Sequence, residues 1–154
     1  MKKIRLLLNT VSAATLCGAS LITLACSNSS KTETATRTLT NTYWKLTSLG
    51  DAPITVYDEH REPYMELQAE PARIAGSDGC NRMMGSYQVN GTKIEFSEMA
   101  GTMMACVNGM EQGAAFTKAL SQTITWNIDG ERLKLFDADA KLLLSFQAAE
   151  RNTP

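Results

Sequence analysis

From Tyr43 onward the chain is a succession of short runs in which apolar and polar residues alternate. Ile124, Trp126 and Ile128 alternate with Thr125 and Asn127, Asp129-Gly130 supplies a turn, and Leu133 and Leu135 resume the alternation around Lys134. A period of two puts those apolar side chains on one face of a pleated strand, so the segment predicts a hairpin. The turn Asp137-Ala138-Asp139-Ala140 leads into Leu142, Leu144 and Phe146, which extends the hairpin into a three-stranded meander. A second hairpin pairs Tyr87 and Val89 with Ile94 and Phe96 across Asn90-Gly91, a dipeptide suited to the positive φ of a type I′ turn. Earlier strands are expected at Trp44 to Leu49, Tyr64 to Leu67 and Arg73 to Gly76, separated by Pro53, Pro63 and Pro71.

One segment breaks the period. Between Asn108 and Ser121, residues Gly113, Phe116, Thr117 and Leu120 fall on one face of a helix, with Asn108 placed to cap it and Glu111 at the reciprocal position of a capping box. Eight or so short strands with one helix predict a mainly β domain, a small antiparallel β-barrel-like closed sheet with one short helix.

The N-terminus reads differently. A basic stretch containing Lys2, Lys3 and Arg5 precedes an apolar run from Leu6 to Ala25, the pattern of a secretory signal peptide over residues 1–25. The run ends Thr23-Leu24-Ala25-Cys26, which is similar to the bacterial lipobox and marks Cys26 for lipidation. A signal-peptidase cut after Ala25 without a lipid is the alternative, and it would leave a soluble periplasmic protein. From Ser27 to Thr42, nine of sixteen residues are Ser or Thr, so residues 26–42 are expected to be a lipidated cysteine and a tether reaching about 50 Å at full stretch. Ser27 stands where an inner-membrane retention signal would carry Asp, which points to the outer membrane, facing the periplasm. The folded domain is expected over 43–148, with a tail at 149–154.

The chain of 154 residues holds 15 Lys and Arg against 16 Asp and Glu, and loss of Lys2, Lys3 and Arg5 with the leader leaves 12 basic against 16 acidic side chains. An acidic balance argues against a nucleic-acid partner.

Two cysteines remain in the domain, Cys80 in Gly76-Ser77-Asp78-Gly79-Cys80-Asn81 and Cys106 in Thr102-Met103-Met104-Ala105-Cys106. A pair in an oxidising compartment suggests a disulfide, against the alternative of two buried free thiols. Met83, Met84, Met99, Met103, Met104 and Met110 lie close by in sequence, as fillers of irregular space or as soft donors for Cu(I). Nucleophilic catalysis needs a positioned base, and the chain's one histidine, His60, sits in the charged run Asp58-Glu59-His60-Arg61-Glu62. The chain carries no phosphate loop, dinucleotide fingerprint or metallopeptidase helix. No catalytic residue, metal or cofactor is therefore expected.

Tyr43-Trp44-Lys45-Leu46, the Gly79-Cys80-Asn81 segment followed by Gly85-Ser86-Tyr87, the Met104-Ala105-Cys106 segment, and Glu111 with Phe116 and Leu120 together resemble the META domain family, which is HslJ-like. The resemblance covers roughly residues 40 to 148. It implies a small β-barrel-like fold with one helix, secreted or membrane-anchored in bacteria, with no enzymatic activity to carry over. It also implies that Cys80 and Cys106 are a family pair, that Gly79 and Gly85 are backbone-demanding positions, that Asn81 is a turn or capping group, and that Thr102 belongs to the same structural motif. The function expected is a non-enzymatic envelope lipoprotein linked to stress or antibiotic tolerance through contact with another envelope component, with the membrane met through the lipid anchor and an envelope protein or a small apolar ligand as candidate partner. The alternatives are a carrier of a small apolar ligand, an inhibitor of a lysozyme-type enzyme, and a Cu(I)-handling protein.

Overall fold

The computed structural model describes residues 36–57 and 61–151. The leader, Cys26, most of the tether, His60 and the last residues of the tail lie outside the described residues, so the readings made for them stand as expectations. Among the described residues no helix is long and apolar enough to cross a membrane.

Nine strands and one helix follow each other as β1 (Tyr43–Leu49), β2 (Ala52–Pro53), β3 (Tyr64–Gln68), β4 (Arg73–Ser77), β5 (Arg82–Asn90), β6 (Lys93–Gly101), α1 (Met110–Gln122), β7 (Thr125–Asp129), β8 (Arg132–Phe136) and β9 (Leu142–Ala149). Every pairing is antiparallel, in the order β2-β1-β3-β4-β5-β6-β7-β8-β9, and β1 also pairs with β9. The sheet is thus a ring, with β2 as a short addition on β1. The ring is thinnest between β6 and β7, where Lys93 and Thr125 are the one registered pair. Helix α1 packs on β6 and, on the other side of the ring, on β9 and β1.

Alternation places Trp44, Leu46, Met65, Leu67, Ile74, Leu133, Leu135, Leu144 and Phe146 inside the ring, and α1 adds Phe116 and Leu120. The Phe116 and Phe146 rings meet at 5.9 Å between centroids. Burying a side chain of this size contributes about 2–3 kcal/mol, so the helix is held by its apolar face rather than by its caps. These side chains fill the interior.

Four details depart from the sequence expectations. The folded unit begins before Tyr43: Leu39 is buried, its carbonyl accepts the Trp44 Nε1–H at 2.9 Å, and the Arg37 and Asn41 amides donate to Gly130 and Leu67. One buried leucine in a Ser/Thr-rich run is too little apolar signal to show this. The hairpin turns are displaced by one residue, because Asn90 pairs with Lys93 and Asp129 with Arg132. Gly91 and Gly130, at φ 59° each, therefore take the first central position, as a type II′ turn requires, rather than the second.

Helix α1 starts at Met110, and Asn108 does not cap it. Gly109 occupies the N-cap in a left-handed conformation, φ 79°, with no side-chain capping bond, so the capping box is not formed. Finally, Ile124 lies outside β7 and is exposed, and Val89 is exposed although Tyr87 on the same strand is buried. Both stand beside the thin β6/β7 junction, where little covers that face.

The alternation of strand direction sorts the connections onto two ends of the ring. One end carries the β3–β4, β5–β6 and β7–β8 turns and the segment at Arg37 through which the chain joins the sheet. The other end carries the β4–β5 loop with Gly79 to Asn81, the long loop from Thr102 to Gly109, and the β8–β9 turn.

Candidate functional site

The motif residues converge at this second end. Cys80 and Cys106 are joined in a disulfide with their Cα atoms 6.1 Å apart, which ties the β4–β5 loop to the loop that precedes α1. Gly79 adopts φ 103°, a conformation that costs a residue with a Cβ. Gly85 is demanding for a different reason: a Cβ there would lie 2.8 Å from the Ser97 carbonyl oxygen and 2.7 Å from Met99 Sδ, so close strand approach and not a positive φ requires glycine.

Asn81 is the polar hub. Its Oδ1 accepts the Met104 amide at 2.7 Å and the Thr102 hydroxyl at 3.1 Å, and Thr102 Oγ1 in turn accepts the Arg82 amide at 3.1 Å. These bonds run in parallel with the disulfide and fix the start of the second loop. The residue that sequence reasoning missed is Asp78. Its buried carboxylate accepts the Cys80 amide at 2.8 Å and the Asn81 amide at 2.5 Å, while its own amide donates to the Asn81 carbonyl. An Asp two residues before the amide it accepts is an Asx turn, and Ser77-Asp78-Gly79 was the available signal. Gly113, in the first turn of α1, packs against this carboxylate, which lies where a negative charge complements the helix dipole.

The loop thus anchored turns its apolar side chains outward. Met103 is 99% exposed and Val107 88%, and Met104 and Met110 are more than half exposed. Met84 of β5 stands beside them at 60% exposure, in register with Ala100. The filler reading therefore holds for Met83, which is buried in the core, and for Met99, which is partly buried and packs against it, and fails for Met84, Met103, Met104 and Met110. A cleft of about 240 Å³ lies at the foot of the loop between Asp78, Asn81, Met99, Thr102 and Thr117.

The chemistry of this end is that of a clamp. Cys80 and Cys106 hold no free thiolate once bridged, so of the sulfur donors grouped here only the thioethers keep their lone pairs free. Among the described residues no group of three His, Cys, Asp or Glu side chains is placed to hold a metal ion. For the small apolar ligand, a surface cleft of about 380 Å³ lies between Ile94, Phe96 and Ile124.

On the outer face, Tyr43 stacks on Tyr64 at 4.5 Å and donates its hydroxyl to Glu62, which also pairs with Lys45. Burial and the neighbouring Glu62 carboxylate push the Tyr43 phenol well above the usual tyrosine range. Burial alone raises Tyr87, whose hydroxyl donates to the Gln68 carbonyl.

The META domain family model matches residues 37–150, which begins at the Arg37 segment through which the chain joins the sheet. No curated protein is matched. A solved structure of a protein from Burkholderia xenovorans is 26% identical with a TM-score of 0.61, over 73% of this chain and 85% of that one. A DUF4847 family protein from Bacteroides vulgatus, at 14% identity and a TM-score of 0.52 over 74% of this chain and 96% of that one, shares the fold alone.

Proposed function

The chain belongs to the META domain family, and we propose that it is a non-enzymatic lipoprotein of the bacterial outer membrane that works by contact with another protein of the envelope. Lipid attachment at Cys26 and a role in stress or antibiotic tolerance are parts of the same proposal. The observation that carries it is the outward apolar loop around Met103 and Val107, held by a disulfide and the Asn81 bonds. Exposed apolar side chains on a rigid frame lose little conformational entropy on binding.

Its place in the fold favours a protein over the bilayer as occupant. The chain joins the ring at Arg37, bonded to the β7–β8 turn, and the loop is at the opposite end. The chain thus enters the domain at the end opposite the loop.

The test is photo-crosslinking in the full-length protein in its own cells, with benzoylphenylalanine in place of Val107, or of Thr92 at the tether end as a control. We expect a crosslink to one envelope protein from position 107 and none from 92. Met103→Ser should keep the melting temperature and lose both that crosslink and growth under envelope stress. Crosslinks to lipid alone or to a second copy, no crosslink, or full growth with Met103→Ser would overturn the proposal.

A further inference from the structure

We propose that Met84, Met103, Met104 and Met110 form an oxidation site that takes oxygen from hydroperoxides and turns the contact loop from apolar to polar. The fold sorts the described thioethers by exposure. Met65 is 0% exposed and Met83 5%, Met99 is partly buried against the core, and the four at the loop are open to solvent. Alternation along β5 makes the division sharp, since Met83 points into the ring and its neighbour Met84 points out. An oxidant must reach the sulfur lone pair, so exposure sets the order of reaction.

The reaction is a two-electron oxygen transfer. The thioether sulfur attacks the terminal peroxide oxygen, the O–O bond breaks, an S–O bond forms, and the peroxide is reduced to water or an alcohol while the sulfur becomes a sulfoxide. Cys80 and Cys106 are already joined, so among the described residues no thiol competes for the oxidant.

The four sulfurs also surround one structure. Met103 and Met104 lie in the bridged loop, Met110 opens α1, and Met84 is in register with Ala100 at the strand end that feeds the loop. The disulfide and the Asn81 bonds hold the backbone at Met104, so oxidation changes the polarity of the surface without releasing the loop. The oxidation site stands on exposure; its effect on binding rests on the function proposed above.

The experiment is a hydrogen peroxide time course on the disulfide-intact protein, followed by peptide mass mapping with circular dichroism as a check on folding. Met84, Met103, Met104 and Met110 should each gain one oxygen about tenfold faster than Met65 and Met83 while the spectrum is unchanged. Replacing all four by Leu should abolish the fast phase. The site is refuted if Met65 and Met83 keep pace in folded protein, or if the Leu variant retains the fast phase. Oxidation should then weaken the crosslink from position 107 several-fold, with recovery after methionine sulfoxide reductase. Selective oxidation with an undiminished crosslink would overturn the switch alone, and a crosslink missing before oxidation would count against the proposed function instead.

Discussion

Breaking the Cys80–Cys106 bridge is the perturbation whose size follows most directly from the structure. The two cysteines are 26 positions apart, and closing a loop of that length removes unfolded-chain entropy worth about 3.5 kcal/mol at 25 °C in the chain-entropy model. Residues 37–150 carry an unfolding entropy of roughly 240 cal/mol/K at the usual value per residue, so the loss corresponds to a fall in Tm of about 15 °C. Thermal melts of the oxidised protein, the reduced protein and the Cys80→Ala, Cys106→Ala double variant should agree on that shift. Because the effect acts on the unfolded chain, urea unfolding should show a lower midpoint and an m-value that rises when the cross-link is gone.

The Asn81 bonds make the test sharper. They hold the same two loops together in the folded state, so the native structure should survive the loss of the bridge with its near-ultraviolet spectrum largely kept. A shift below about 4 °C, in protein that alkylation shows to be fully reduced, would refute the entropic account.

Three further substitutions probe the frame. Asn81→Ala leaves the Met104 amide and the Thr102 hydroxyl without their acceptor and should cost about 1–2 kcal/mol by urea denaturation, whereas Asn108→Ala, at the unused cap position, should cost a few tenths at most. Gly113→Ala sets helix propensity against a Cβ 3.0 Å from an Asp78 carboxylate that two amides hold in place; the clash should win, lowering stability by about 1 kcal/mol, and a gain would show that Asp78 can move. Tyr43 and Tyr87 are held neutral, with folded pKa values above the unfolded one near 10, so their contribution is complete below about pH 10 and is lost as pH rises through the folded values. Alkaline unfolding should accordingly begin later in Tyr43→Phe, and tyrosinate absorbance that is complete by about pH 11.5 in folded wild type would contradict the assignment.

Where the physics is periodic, the sequence was legible. Alternation located the strands of the ring and the meander, and one apolar face located α1. What escaped depended on single residues. Leu39 joins the core from within a polar run, Gly109 starts the helix by its own left-handed backbone where Asn108 offered a side chain, and each hairpin glycine fits either central position of a tight turn. Asp78 escaped because an acidic residue before glycine suits any turn; only the fold places Gly113 against it. The methionines were grouped by proximity in sequence, yet the period of two that found the strands also separates Met83 from Met84.

The two ends of the ring divide its tasks. At one end the buried Leu39 and the Arg37 and Asn41 amides, which donate to the Gly130 and Leu67 carbonyls, lock the arriving chain to the sheet. At the other end the disulfide, Asp78 and Asn81 spend their bonding on backbone amides, and the side chains they leave outward are apolar and sulfur-rich. A loop held in that way keeps its shape whether its surface is thioether or sulfoxide. Rigidity of the frame and chemical variability of the surface are therefore separable, and the bridge that stabilises the fold is also what allows the surface to change without unfolding it.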